Sequence, residues 1–250
     1  MKLLTPNRTD YGRAAAALLI GAFLVLANAP AGAAEPSHVR DGLLAKKALA
    51  AAKKNNWTEY KRLASGLKNA DMRAILRWNR MRSRKSGAGF HELTMFLKTQ
   101  ADWPRIALIR RRAEEAMPSA LPDQAKLDWF GARAPLTSAG GAAMAGALIN
   151  LGRKDEARDL LRRVWVRGAF GAQQERQFYK RFRGYLTRDN HIQRLDRLLW
   201  NGQHYAVRRM YRRVNPDYRA LAEARVALRR HRGGVDRTIQ RVPEKLINNT

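Results

Sequence analysis

LGRKDEARDLLRRVW, residues 151–165, carries the pattern from which the fold class follows. Ala157, Leu160, Leu161, Val164 and Trp165 fall at i, i+3, i+4, i+7 and i+8, which places all of them on one face of a helix, while Arg158, Asp159, Arg162 and Arg163 point elsewhere. Gly152 suits the end of the helix before it, TSAGGAAMAGALINL, for which Thr137 is the expected N-cap. The alanines and glycines of that preceding helix permit close approach, so the pair reads as a helical hairpin.

The same pattern returns at NGQHYAVRRMYRRVN, residues 201–215. A shift of 50 positions carries Gly152 onto Gly202, Ala157 onto Val207, Leu160 onto Met210, Leu161 onto Tyr211 and Val164 onto Val214. Arg158, Arg162 and Arg163 map onto Arg208, Arg212 and Arg213. A weaker copy, NNWTEYKRLASGL, holds Tyr60, Leu63, Ala64 and Leu67 at the same offsets, with Asn55 in place of the glycine. Such self-similarity predicts stacked helical hairpins that bury their apolar faces against neighbours. A further helix is expected over 172–185, between two of the copies.

Nothing after the N-terminal segment reads as a strand. Period-two alternation is absent, Ala, Leu, Arg and Lys dominate, and turn signals such as Gly87-Ala88-Gly89, Asp102-Trp103-Pro104, Met117-Pro118, Ala134-Pro135 and Gly233-Gly234 recur at short intervals. The expected class is all-α, an α-superhelix of stacked hairpins. Tryptophans at 57, 78, 103, 129, 165 and 200 are spread along it and are read as core packing.

The opening MKLLTPNRTDYGRAAAALLIGAFLVLANAPAGAAEP has a basic stretch (Lys2, Arg8, Arg13), an apolar run from Ala14 to Ala27 and small residues at Ala31 and Ala33. That is the form of a secretory signal peptide, and the run is too short for a stable membrane span, which needs about 20 residues. The expected organisation is a signal peptide over 1–33 and one α-superhelical domain over 34–250, incomplete at its C-terminal end. Its removal takes away three basic residues and Asp10, lowering the formal charge from +28 to +26. With no cysteine, the fold rests on packing without disulfides. A charge of this sign attracts polyanions, and export disfavours nucleic acid among them.

Motif fragments yield no catalytic or metal site. HELTM, residues 91–95, starts like a zinc-protease helix, but Met95 stands where the second histidine ligand belongs. RKSGAG (84–89) and AGGAAMAG (139–146) are glycine-rich but lack the strand or the G-K-[ST] order that a phosphate loop needs, and no serine lies in G-x-S-x-G. Glu114-Glu115 and Asp155-Glu156 are read as acids at helix ends, complementing a helix dipole or solvating the surface. No cofactor is expected. The remaining candidate is a basic ridge of Arg158, Arg162, Arg163, Arg208, Arg212 and Arg213, able to make charge-assisted contacts with carboxylates; the plainer alternative is a solvated helix face.

WFGARAPLTSAGGAAMAGALINLGRKDEARDLLRRVW, then YLTRDNHIQRLDRLLWNGQHYAVRRM and RALAEARVAL, resemble the N-terminal superhelical region of soluble lytic murein transglycosylases, as does DWPRIALIRRRAEEAMP at 102–118. The resemblance covers roughly residues 40–245. It implies a periplasmic, curved or ring-like α-superhelix followed by a separate lysozyme-like domain. That domain cleaves the β-1,4 bond between N-acetylmuramic acid and N-acetylglucosamine, leaving a 1,6-anhydro end, by way of a glutamate in an E-S motif. None of the nine glutamates of this chain precedes a serine, so no catalytic residue is carried over. The expectation is a non-catalytic module that holds peptidoglycan for cleavage by a downstream domain. The alternatives are a stand-alone exported scaffold for envelope proteins and a basic solenoid binding RNA, the last in conflict with the signal peptide.

Overall fold

The structure is a computed structural model that describes residues 37–231 and 233–247; the expected signal peptide, residues 1–33, lies outside the described residues. Among the described residues there are 14 α-helices, one short 3-10 turn and no strand. The described residues divide into two compact units, one ending at Ala116 and the other beginning at Met117.

In the first unit α1 (Ser37–Lys53) and α2 (Trp57–Ser65) form a hairpin against which α3 (Ala70–Arg82) packs; α4 (Phe90–Thr99) and α5 (Ile106–Glu115) form a second pair. Ala45, Ala48 and Ala51 of α1 meet Tyr60, Leu63, Leu67 and Leu76 in a small core. Tyr60 carries a hydroxyl into this apolar site and donates it to the Leu76 carbonyl at 2.6 Å, which satisfies the group and ties α2 to α3. Asp41 is buried because its carboxylate accepts the Lys68 and Asn69 backbone N–H groups, and the Asn69 bond in particular holds its pKa below the usual carboxylate range.

The second unit contains α6 (Asp123–Phe130), α7 (Ser138–Asn150), α8 (Lys154–Arg167), α9 (Ala172–Phe182) with the 3-10 turn Arg183–Tyr185, α10 (Arg188–Trp200), α11 (His204–Met210), α12 (Pro216–Arg229), α13 (Val235–Ile239) and α14 (Glu244–Ile247). Helix α7 packs on α6 and α8, α8 packs on α10, and α10 packs on α11 and α12. Thr137 caps α7 as expected, its hydroxyl accepting from Gly140 N–H at 2.9 Å. The face of α8 drawn from spacing is the buried one: Ala157, Leu160, Leu161 and Trp165 enter a core with Phe178, Phe182, Leu195, Leu198, Val207 and Met210. Gly141 of α7 leaves room for Val164, whose methyl lies 2.5 Å from where a glycine-replacing Cβ would stand.

Three hairpin turns share one conformation. In α7–α8 the Gly152 N–H bonds Ile149 O at 3.1 Å and the Arg153 N–H bonds Leu148 O at 2.8 Å. In α10–α11 Gly202 bonds Leu199 O at 3.0 Å and Gln203 bonds Leu198 O at 2.9 Å; in α1–α2 Asn55 bonds Ala52 O at 3.0 Å and Asn56 bonds Ala51 O at 2.9 Å. This is the Schellman ending, which needs a left-handed residue at its apex. Gly152, Gly202 and Asn55 supply it with φ of +80, +66 and +57°. Five residues past each apex a buried side chain, Ala157, Val207 or Tyr60, locks the returning helix.

Candidate binding surface

The arginines that match in sequence do not share one environment. Arg158 on α8 is half-buried and paired with Asp155 at 2.6 Å, and Arg162 donates from Nε to the Tyr185 carbonyl at 3.2 Å. Arg163 on α8 and Arg208 on α11 are exposed, as is Arg212 just beyond α11, and their side chains have no ion pair or hydrogen bond within the described residues. Helix α11 ends at Met210, whereas α8 runs to Arg167, so Arg212 and Arg213 sit in a turn where Arg162 and Arg163 sit on a helix. Arg213 accordingly faces inward, with its Nη1 donating to Arg209 O at 2.6 Å and its guanidinium 4.4 Å from the Tyr179 ring.

What Arg213 faces is a cluster that spacing alone does not announce. Glu175 of α9 is fully buried, with Oε2 accepting from Arg194 Nη2 at 3.2 Å and from Arg209 Nη2 at 2.9 Å; Arg213 Nη1 stands 3.5 Å from Oε1. Arg194 of α10, also buried, donates to the Trp165 carbonyl at 2.6 Å and to Gly168 O at 3.2 Å, and lies over the Trp165 and Phe170 rings. Burial pushes the Arg194 guanidinium down to about 10, the Glu175 charge opposing that shift, and the group remains cationic at neutral pH. The signal was in the sequence: Glu175 falls at i, i+3 and i+7 with Phe178 and Phe182, and Arg194 falls beside Leu195 and Leu198. A charge at an apolar register position needs a buried partner. The pair ties α9 to α10 beneath Trp165, and Arg209 brings in α11.

Beside this cluster an open groove of about 260 Å³ runs between α7 and α9, lined by Ala139, Ala142, Phe170 and Phe178 with Gln177 and Arg181 at its margin. His91, the head of the HELTM fragment, is exposed on α4, and its neighbour Glu92 pairs with Arg80. Glu114 and Glu115 occupy the last turn of α5, the end where a helix dipole repels acids, and the reading of helpful dipole partners does not apply to them. Glu115 is held instead by Arg84 and Arg112, and Glu114 is buried. Asp155 and Glu156 do lie in the first turn of α8. Of the tryptophans, Trp165 is fully buried and four others are half-buried, but Trp200 is 84% exposed, contrary to its reading as core.

Among the described residues no group of His, Asp and Glu side chains is arranged to hold a metal ion, and no helix is long and apolar enough to cross a membrane. Compared with models of protein families, with curated proteins and with solved structures, the chain matches none.

Proposed function

We propose that this chain is a non-catalytic helical-repeat module of the periplasm that stacks its hairpins into an α-superhelix and holds peptidoglycan for glycosidic cleavage by a separate domain. The observation that carries the reading is the set of exposed arginines, Arg163, Arg208 and Arg212, which no carboxylate of the described residues neutralises. A surface of this kind, on a chain with formal charge +28, meets an acidic polymer with little competition from its own acids. Peptidoglycan offers such carboxylates on its stem peptides, and on lactyl groups from which the stem peptide has been removed. The sequence resemblance to the superhelical region of lytic transglycosylases supports the same assignment.

Six of the nine glutamates are poorly placed for acid chemistry on a glycan. Glu175 is sealed under guanidiniums, and Glu59, Glu92, Glu115, Glu156 and Glu223 each pair with an arginine. The test is co-sedimentation of the purified chain with sacculi, comparing wild type with the triple variant Arg163→Gln, Arg208→Gln, Arg212→Gln. Weaker retention of the variant at low salt supports the proposal; equal retention removes these arginines from it.

A further inference from the structure

Trp200 ends α10 and Tyr205 is the second residue of α11, and each is 84% exposed. Exposure of two large aromatic rings on either side of one tight turn is not something the hairpin requires. The conformationally matched positions are Asn150 and Asp155 in the α7–α8 turn, and Lys53 and Thr58 in the α1–α2 turn, all of them polar and exposed. The same backbone therefore forms with or without the rings.

The ground beneath the rings is held firmly. Arg229 of α12 donates from Nη1 to the Leu199 carbonyl at 3.0 Å and to the Trp200 carbonyl at 2.7 Å, and its guanidinium lies against Gly202. Those bonds give the Trp200 carbonyl a partner, add a second donor to the Leu199 carbonyl that Gly202 already bonds, and fix the backbone that presents Trp200. Arg208 stands one turn beyond Tyr205 on α11, exposed and paired with no carboxylate of the described residues, and Arg212 follows at a further four residues. The nearby acid Asp196 is already paired with Arg225 at 2.6 Å. Flat aromatic faces bordered by unneutralised cations match a ligand that has both an apolar ring face and a carboxylate.

We propose that the α10–α11 turn is a glycan-binding subsite in which Trp200 and Tyr205 stack on amino-sugar rings while Arg208 meets the lactyl carboxylate that a muramic residue exposes once its stem peptide has been removed. This rests on the peptidoglycan reading above and specifies the sugar strand, rather than the stem peptide, as what the turn recognises. Aromatic side chains provide wide contact at small entropic cost, and an anchor of this kind dominates the affinity of a small interface.

The probe is glycan strands stripped of their stem peptides by an amidase, titrated while tryptophan emission is followed, beside intact sacculi and an oligothymidylate. Trp200, the most exposed of the described indoles, should shift its emission to the blue as strands cover it. The variant Trp200→Ala, Tyr205→Ala should bind strands about tenfold more weakly or worse, with unchanged helicity because both rings stand in solvent. If that variant holds strands as tightly as wild type, or wild type holds sacculi but not strands, the subsite is overturned and the broader reading stands. If wild type binds neither, both fall. Tighter binding of oligothymidylate, lost in the aromatic variant, overturns the subsite in favour of nucleic acid.

Discussion

The Trp165 indole N–H donates to Nδ1 of His191 at 3.0 Å, joining α8 to α10 inside the larger core. An imidazole that accepts at Nδ1 is neutral, with its proton on Nε2. Burial, then Arg213 and Arg194, hold the His191 pKa below the ordinary 6.5.

Stability should therefore depend on pH in a defined direction. Above about pH 6.5 neither the folded nor the unfolded imidazole is charged, and this residue's contribution is complete. As pH falls below that value the unfolded chain takes up a proton that the folded chain resists, so stability declines. Urea midpoints measured from pH 8 to 5 should fall on the acid side in wild type and fall less in His191→Gln. An identical slope in both would remove His191 as the cause.

Glu175 is predicted to be the costliest single carboxylate to neutralise. Glu175→Gln keeps the shape but leaves Arg194 buried and uncompensated, a loss of about 3–5 kcal/mol for breaking one side of a buried pair. Arg209 is partly hydrated, so Arg209→Gln should cost about 1 kcal/mol or less. Denaturant unfolding of the two variants checks the order. Similar small losses in both would mean that the cluster contributes little to holding α9 on α10.

The shared turn makes its own prediction. Gly152→Ala meets no neighbouring atom within 4 Å, so its penalty is conformational, about 1–2 kcal/mol for a left-handed non-glycine residue. Gly202→Ala should cost more, because its Cβ would come to 3.2 Å from the Arg229 guanidinium that caps α10. Asn55→Gly should be tolerated or mildly stabilising at its φ of +57°. Thermal unfolding of the three variants tests the ranking.

These turns also show what could be read from sequence. The apolar stripe of α8 and the glycine before it specify a helix that reverses at a left-handed residue, and the same logic admitted Asn55, because asparagine tolerates that conformation. The helix over Ala172–Phe182 was likewise legible between its glycine break and the 3-10 turn. The site was less so. Arg163 and Arg213 match in sequence, yet one stands in solvent and the other turns toward Glu175, because α11 stops at Met210 and releases its last arginines from the helix. The Glu175 cluster draws on α9, α10 and α11 at once, and tertiary placement of that kind has no local signature beyond a charge at an apolar position. Trp200 reads as core from sequence yet stands in solvent, because a tryptophan at a helix end carries no mark of which way it will face.

Salt should separate the arginine contribution from the aromatic one. Exposed guanidiniums lose attraction as the Debye length shrinks to about 3 Å at 1 M. Retention on sacculi should fall steeply with salt in wild type and more gently in the triple arginine-to-glutamine variant. Parallel curves would assign the retention to contacts other than those arginines.

The central claim, that this chain holds peptidoglycan through its carboxylates, is tested most directly by amidating those carboxylates with carbodiimide and ammonia and measuring binding of the wild-type chain to native and amidated sacculi at low salt. The account predicts firm retention on native sacculi and near-complete loss on amidated ones. Equal retention on both, or none on either, would contradict it.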